Sequence, residues 1–137
     1  MRAGIQSTSQ TTIPMKKVLV VEDALADRRL MAALLNQADV EVFCVDSAES
    51  ALIWLANQRP DLIVLDVIMP GLSGLELCRQ LRADSSYKNL PIIFCSSQDQ
   101  GFDRFWAISQ GGNAYITKPY APCELIEIVR HYLFKEI

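Results

Sequence analysis

The chain has 137 residues, of which half are hydrophobic and 21% are charged, and its formal net charge is −3. This length predicts one domain with a single substantial core and disfavours several domains. The acidic balance, without a cluster of Lys or Arg, argues against direct binding of nucleic acid. No apolar run is long enough to span a bilayer, so we expect a cytoplasmic protein without membrane association.

The first 14 residues predict a flexible N-terminal tail. They read MRAGIQSTSQTTIP, are rich in Ser, Thr and Gln, and lack the apolar core of a signal peptide. We therefore expect the folded domain to occupy residues 15–137. Met15 directly precedes KKVLVVED, and the sequence leaves open whether Met1 or Met15 is the biological start.

From residue 17 onwards, short apolar strands alternate with helical patterns. In chain order, we predict a strand at 18–21, a helix at 27–37, a strand at 40–45, a helix N-capped by Ser47, a strand at 62–65, a helix at 73–81, a strand at 91–95, a helix at 102–110, a strand at 114–117 and a helix at 122–134. Strands that are apolar on both faces and separated by helices indicate a parallel sheet covered on each side. The sequence therefore predicts a doubly wound α/β domain with a five-stranded parallel sheet, in which ligands bind at the carboxyl ends of the strands.

Those predicted strand ends carry a particular set of polar residues. Glu22 and Asp23 follow the first strand, Asp66 ends the third, Ser96 ends the fourth and Lys118 follows the fifth. Each residue alone has an ordinary explanation as a turn, cap or surface residue. Their combination at the ends of four strands is more specific, because a parallel sheet brings all of them to one edge.

Three carboxylates at one edge repel one another unless a cation joins them. A divalent ion with so few protein ligands suits Mg²⁺, which keeps several waters and binds phosphate well. Lys118 would add a positive charge and Ser96 a hydroxyl group, and together they would hold the oxygens of a phosphoryl group on Asp66.

Four stretches resemble the receiver domain of two-component response regulators: VLVVED, DLIVLDVIMPGLSGLEL, LPIIFCSS and GGNAYITKP. The resemblance covers nearly everything from Lys17 to the C-terminus. It implies a flavodoxin-like (βα)5 fold and a phosphorylation-controlled signalling module. By this resemblance, Asp66 accepts a phosphoryl group from a kinase histidine, and Mg²⁺ binds Glu22, Asp23, Asp66 and the carbonyl of Val67.

The same resemblance assigns the remaining site residues. Lys118 would contact the phosphoryl group, Ser96 would be the switch hydroxyl, Tyr115 would change rotamer with it, and the bond between Lys118 and Pro119 would be a cis peptide. Departures from the family pattern are small. Glu22 stands where Asp is commoner, and Ser96 stands where Thr is also common. Ile68 and Gln98 lie at positions that tune phosphoryl lifetime in the family, which leaves that lifetime unpredicted.

We expect no output domain after the last predicted helix, and in this the chain resembles stand-alone regulators of the chemotaxis type. The segment SSQDQGFDRFWAISQGG is similar to regulators of pilus-based motility. The implied partners are a sensor histidine kinase and a downstream target protein, and a homodimer through the fourth helix, fifth strand and fifth helix is left open. We expect no enzymatic activity beyond self-catalysed phosphoryl transfer and dephosphorylation.

Three aromatic residues, Phe102, Phe105 and Trp106, crowd the predicted fourth helix. We expect most of them to pack on the sheet. They cannot all point inward together with Ile108, so at least one is a candidate for contact with a partner or a second copy.

Three other interpretations fit the sequence less well. A receiver-like protein that docks constitutively would not need Asp66, Ser96 and Lys118. A flavodoxin-like cofactor binder needs a phosphate-cradling loop after the first strand, where VEDALAD is acidic. A small phosphatase with an aspartyl intermediate needs a second Asp as general acid where Ile68 stands.

The cysteines and the single histidine predict no metal site. Cys44, Cys78, Cys95 and Cys123 are widely spaced without a C-x-x-C pair, which favours reduced cysteines acting as small hydrophobes. His131 has no Cys or other His near it in sequence, so we expect a surface or core histidine.

Overall fold

The computed structural model describes residues 15–134. Its elements in chain order are β1 Lys17–Val21, α1 Leu25–Asn36, β2 Glu41–Val45, α2 Ala48–Leu55, β3 Leu62–Leu65, α3 Gly74–Ala83, a 3₁₀ turn at Ser85–Tyr87, β4 Ile92–Ser96, α4 Gly101–Ser109, β5 Ala114–Thr117 and α5 Pro122–Leu133. The predicted tail, residues 1–14, and the end of the predicted domain, residues 135–137, lie outside the described residues. Among the helices of the described part, none is long and apolar enough to cross a membrane.

The five strands form one parallel sheet in the order β2-β1-β3-β4-β5. This confirms the predicted doubly wound α/β domain. The central strand β3 reads LIVL and is buried throughout, as expected for a strand covered on both faces. The edge strand β2 is only partly buried. Because β3 is central, its carboxyl end lies between the ends of β1 and β4.

The apolar core is split by the sheet into two layers. Alternate strand residues such as Leu19 and Phe94 face α2, α3 and α4 on one side. Val20 and Ile93 face α1 and α5 on the other side. Burial of each such side chain stabilises the fold by about 1.5–3 kcal/mol, which holds the strand ends in fixed register.

Helix starts agree with the sequence where a side chain caps them. Ser47 accepts a hydrogen bond from Ser50 N at 3.0 Å, and Ser73 forms a reciprocal capping box with Glu76. Helix α1 starts at Leu25, two residues earlier than predicted, after an N-cap residue without a side-chain hydrogen bond. Its start is instead fixed by contacts with the loop that follows β1.

The predicted packing of most α4 aromatics on the sheet is wrong. Phe102 is 70% exposed, Phe105 71% and Trp106 52%, and Ala107 is the buried residue of this helix. The reason is helical spacing. At about 100° per residue, Trp106, Phe105 and Phe102 lie roughly 100°, 160° and 140° around the helix from Ala107, so the three aromatics form an exposed stripe.

Two cysteines behave as the predicted small hydrophobes. Cys78 and Cys95 are buried, whereas Cys44 and Cys123 are exposed, and all four are free. His131 lies on the exposed side of α5, edge-on to the ring of Tyr132. Among residues 15–134, the potential metal ligands that lie close together are carboxylates at the carboxyl ends of the strands.

Candidate functional site

The carboxyl ends of the strands bring the predicted polar residues together. Glu22 directly follows β1, Asp66 follows β3 and Ser96 ends β4. These three are the buried polar or charged residues of the described chain, with exposures of 1%, 7% and 0%. Burying such groups costs free energy unless partners compensate, so their concentration at one edge marks this edge as the candidate site.

Lys118 supplies the compensating charge. Its Nζ lies 2.7 Å from Glu22 Oε1, 3.0 Å from Asp27 Oδ2 and 3.4 Å from Asp66 Oδ2. An ammonium group has three donors, and here each faces a different carboxylate. Burial alone would lower the pKa of Lys118, but the hydrogen bonds to Glu22 and Asp27 outweigh burial and raise this pKa. Lys118 is therefore a fixed positive charge beside Asp66.

Glu22, Asp23 and Asp66 form a cluster that fits a divalent cation. One carboxylate oxygen from each lies within 4.8 Å of the others. Burial raises the pKa of Glu22, which means that its charged form lacks full compensation in the protein alone. Oxygen ligands in small number suit a hard cation that keeps several waters. The carbonyl of Val67, also a predicted ligand, accepts a hydrogen bond from Gly74 N at 3.0 Å, and this bond fixes the carbonyl group's position.

The loop after β1 holds the acidic pair in place. Glu22 Oε2 accepts a hydrogen bond from Ala24 N at 3.1 Å. Arg28, on α1, donates to the backbone carbonyls of Glu22 and Asp23 at 2.8 and 3.3 Å. The sequence alone did not indicate a role for Arg28. Its position in the first turn of the helix that follows the acidic pair is the signal that would have found it.

Asp66 is held from its own backbone and from the start of α3. Its amide donates to Val21 O, and its Oδ1 accepts a hydrogen bond from Ile68 N at 3.2 Å. Gly74 begins α3 directly against this peptide, because a Cβ on Gly74 would stand 1.9 Å from the carbonyl oxygen of Asp66. Only a residue without a side chain permits this close approach.

Glu49 fixes the loop that follows Asp66. Its Oε2 accepts a hydrogen bond from Leu72 N at 2.9 Å, and this bond lowers the pKa of Glu49. The neighbouring Gly71 has φ of 77°, in the left-handed region that favours glycine. A residue on α2 thus determines the path of the loop that carries Val67 and Ile68.

Ser96 and Tyr115 meet through the loop after β4. Ser96 Oγ accepts a hydrogen bond from Gln98 N at 3.2 Å, and the Tyr115 hydroxyl donates to Gln98 O at 2.7 Å. The Tyr115 ring is therefore turned inward, and burial raises the pKa of its phenol. Arg104 donates to Tyr115 O at 2.9 Å and lies 5.1 Å from the ring centroid. Arg104 was also missed by the sequence analysis.

The backbone links the end of β4 to the residue that carries the site's ammonium group. Lys118 N donates to Ser96 O at 2.8 Å, so the two strand ends are joined at the site. The peptide bond between Lys118 and Pro119 is cis. The predicted site residues therefore converge at the carboxyl ends of the strands, which Tyr115 reaches from within β5 through its bond to Gln98. The structure adds Asp27, Arg28 and Arg104 around them.

This fold and this site define a signalling domain of a known class. The response regulator receiver domain family matches residues 18–130. The chain belongs to this family. Receiver domains are signalling modules that take a phosphoryl group from a histidine kinase and act on downstream targets, and this chain is homologous to those of two-component response regulators.

Individual relatives show how far the similarity extends. The sensory transduction protein RegX3 of Mycolicibacterium smegmatis is 38% identical over 121 residues, which are 87% of this chain and 51% of RegX3. Protein PilH of Pseudomonas aeruginosa is 28% identical over 119 residues, which are 87% of this chain and 98% of PilH. The crystal structure of a putative response regulator from Chloroflexus aurantiacus matches with a TM-score of 0.84 and 30% identity, covering 90% of this chain and 100% of that one. The chain spans about half the length of the transcriptional regulators that it matches.

Proposed function

We propose that Asp66 is the phosphoacceptor and that Mg²⁺ supports its phosphorylation. One observation carries this proposal. The buried carboxylate of Asp66 lies between Lys118 Nζ, 3.4 Å away, and the acidic cluster that it shares with Glu22 and Asp23. This arrangement places a nucleophile, a fixed cation and a set of metal ligands around one point.

The step is a displacement at phosphorus. An Oδ of Asp66 forms a bond to phosphorus as the bond from phosphorus to the imidazole nitrogen of the kinase phosphohistidine breaks. The leaving electron pair stays on the imidazole, and Asp66 becomes an acyl phosphate. Mg²⁺ held by Glu22, Asp23, Asp66 and the Val67 carbonyl would neutralise charge on the transferring oxygens.

Two other residues hold the product. Lys118 exchanges a carboxylate partner for a phosphoryl oxygen, because charge-assisted hydrogen bonds to phosphate are strong. The Ser96 hydroxyl donates a hydrogen bond to a second phosphoryl oxygen. Since Ser96 and the inward Tyr115 are both bonded to Gln98, a movement of Ser96 is transmitted to Tyr115. The output is then a shift between two packings of α4, β5 and α5.

The exposed aromatic stripe of α4 is the proposed docking surface for the downstream target. Phe102, Phe105 and Trp106 lie on the helix whose Arg104 contacts Tyr115, so a change in Tyr115 alters the helix that presents them. A homodimer through α4, β5 and α5 would use the same surface. The protein would meet its sensor kinase in the cytoplasm, and we propose no enzymatic activity beyond transfer to Asp66 and its hydrolysis.

Intact mass spectrometry tests the proposal. The protein is incubated with a small-molecule phosphodonor, with and without Mg²⁺, and compared with Asp66→Asn. Asp39→Asn is the matched control, because Asp39 is exposed and its φ of 59° suits Asn equally well. A Mg²⁺-dependent gain of one phosphoryl group in the wild type and in Asp39→Asn, but not in Asp66→Asn, is expected. No gain in the wild type would refute the proposal and favour constitutive docking.

A further inference from the structure

Asp27 is a fourth carboxylate at the site, and neither the sequence pattern nor the family assignment accounts for it. It lies in the first turn of α1, and its Oδ2 is 3.0 Å from Lys118 Nζ. Asp66 Oδ2 is farther from the same nitrogen, at 3.4 Å. Asp27 is not a member of the metal-binding cluster. Its contact with Lys118 is therefore separate from any role in holding Mg²⁺.

We propose that Asp27 is a positioning residue that competes with Asp66, and with a phosphoryl group on it, for the ammonium group of Lys118. This inference rests on the proposed function of Asp66. All three donors of Lys118 already have carboxylate partners, so binding a phosphoryl oxygen requires it to give up one of them. Asp27 sets how easily that exchange occurs.

The three partners of Lys118 differ in how readily they can be released. Glu22 is almost fully buried and makes the shortest contact, so freeing its carboxylate in place is costly. Asp66 carries the phosphoryl group itself. Asp27 is 43% exposed in its side chain, and water can solvate its carboxylate when Lys118 leaves. The bond between Lys118 and Asp27 is therefore the one that breaks on phosphorylation.

The space around Asp27 supports this release. Asp27 and Lys118 line a surface cavity of about 340 Å³ together with Leu30 and Tyr120. This cavity gives the freed carboxylate access to solvent. Until release, Asp27 restrains Lys118 and adds a negative charge that repels an incoming phosphoryl group.

A purely local role for Asp27 makes a different prediction. An acidic residue in the first turn of a helix is stabilised by the helix dipole, whatever Lys118 does. In that case Asp27→Asn would lower helix stability slightly and leave phosphorylation unchanged. Competition for Lys118 instead predicts that the same variant phosphorylates faster.

The experiment compares the wild type with Asp27→Asn, Asp27→Glu and Glu127→Gln. Glu127 is exposed on α5, and its variant removes one negative charge without touching Lys118. The initial rate of Asp66 phosphorylation by acetyl phosphate with Mg²⁺ is followed by intact mass. The affinity for beryllofluoride, a phosphoryl mimic, is measured in parallel by thermal shift.

Asp27→Asn should raise both the rate and the beryllofluoride affinity by about two- to fivefold, the range of a partly exposed ion pair. Asp27→Glu should restore wild-type values, and the difference should shrink at high salt because screening weakens exposed charges. An unchanged or slower Asp27→Asn, or an equal gain in Glu127→Gln, would overturn the inference. If the wild type takes up no phosphoryl group, the proposed function itself fails, which is a distinct result.

Discussion

The close contact between α3 and the peptide group of Asp66 gives a sharp stability prediction for Gly74→Ala. The added Cβ would lie 1.9 Å from Asp66 O and 3.2 Å from Leu65 Cγ. The first of these atoms belongs to the buried backbone. To restore an ordinary van der Waals distance, either α3 or the end of β3 has to move by more than about 1 Å. Overpacking of this kind destabilises the fold by about 1–3 kcal/mol or more. This loss exceeds the stabilisation of about 0.5–1 kcal/mol that replacing Gly by Ala brings within a helix.

Gly101→Ala is the matched control. Gly101 also occupies the first position of its helix, after the N-cap Gln100, but a Cβ there would meet nothing within 4 Å. Urea unfolding followed by circular dichroism should show Gly74→Ala destabilised by about 1–2 kcal/mol and Gly101→Ala unchanged or stabilised by up to about 1 kcal/mol. Equal free energies of unfolding for the two variants would refute the argument that close approach requires Gly74.

Three further predictions concern the proposed metal site, Tyr115 and a buried hydroxyl. Mg²⁺ at about 100 times its dissociation constant should stabilise the fold by about 2.7 kcal/mol. In a thermal melt, Asp23→Asn should reduce this stabilisation. A wild-type melting temperature that does not respond to Mg²⁺ would count against the proposed site. Arg104→Ala removes a hydrogen bond and a cation–π contact with Tyr115, the latter worth about 0.5–2 kcal/mol. NMR of ¹⁹F-labelled tyrosine should then show Tyr115 sampling a second ring environment. A single unchanged resonance would contradict a role of Arg104 in holding the ring. The Tyr120 hydroxyl is buried without a hydrogen-bond partner within residues 15–134. Tyr120→Phe should therefore leave the free energy of unfolding unchanged or raise it by up to about 1 kcal/mol. A clear decrease of this free energy in urea unfolding would show that the hydroxyl does have a partner.

The strands and the strand-end residues could be predicted because both follow from local sequence. An apolar run such as LIVL has one good solution in a covered sheet, and parallel strands necessarily bring their carboxyl ends to one edge. This logic brings Glu22, Asp66, Ser96 and Lys118 together without knowledge of any distance. The structure reproduces that convergence.

The helical contributions could not be predicted in the same way. Whether a helical residue faces the site depends on the rotation of its helix, which packing decides and composition does not. In the sequence, Asp27 has the ordinary pattern of a carboxylate in the first turn of a helix. Its contact with Lys118 becomes visible only when the structure places α1 beside that residue. The prediction that most α4 aromatics are buried is wrong for a related reason. Apolar character alone does not show which face of a helix points inward, and here Ala107 fills the inward position.

The ion pair between Lys118 and Glu22 spans 96 positions of the chain. Contacts of such long range form late, because the loop that they close is entropically expensive until the intervening strands are in place. A nascent or partly unfolded chain therefore has Asp66 without its ammonium partner and without the neighbouring carboxylates of β1. Under the proposed function, only a chain with the completed sheet can therefore accept a phosphoryl group at Asp66.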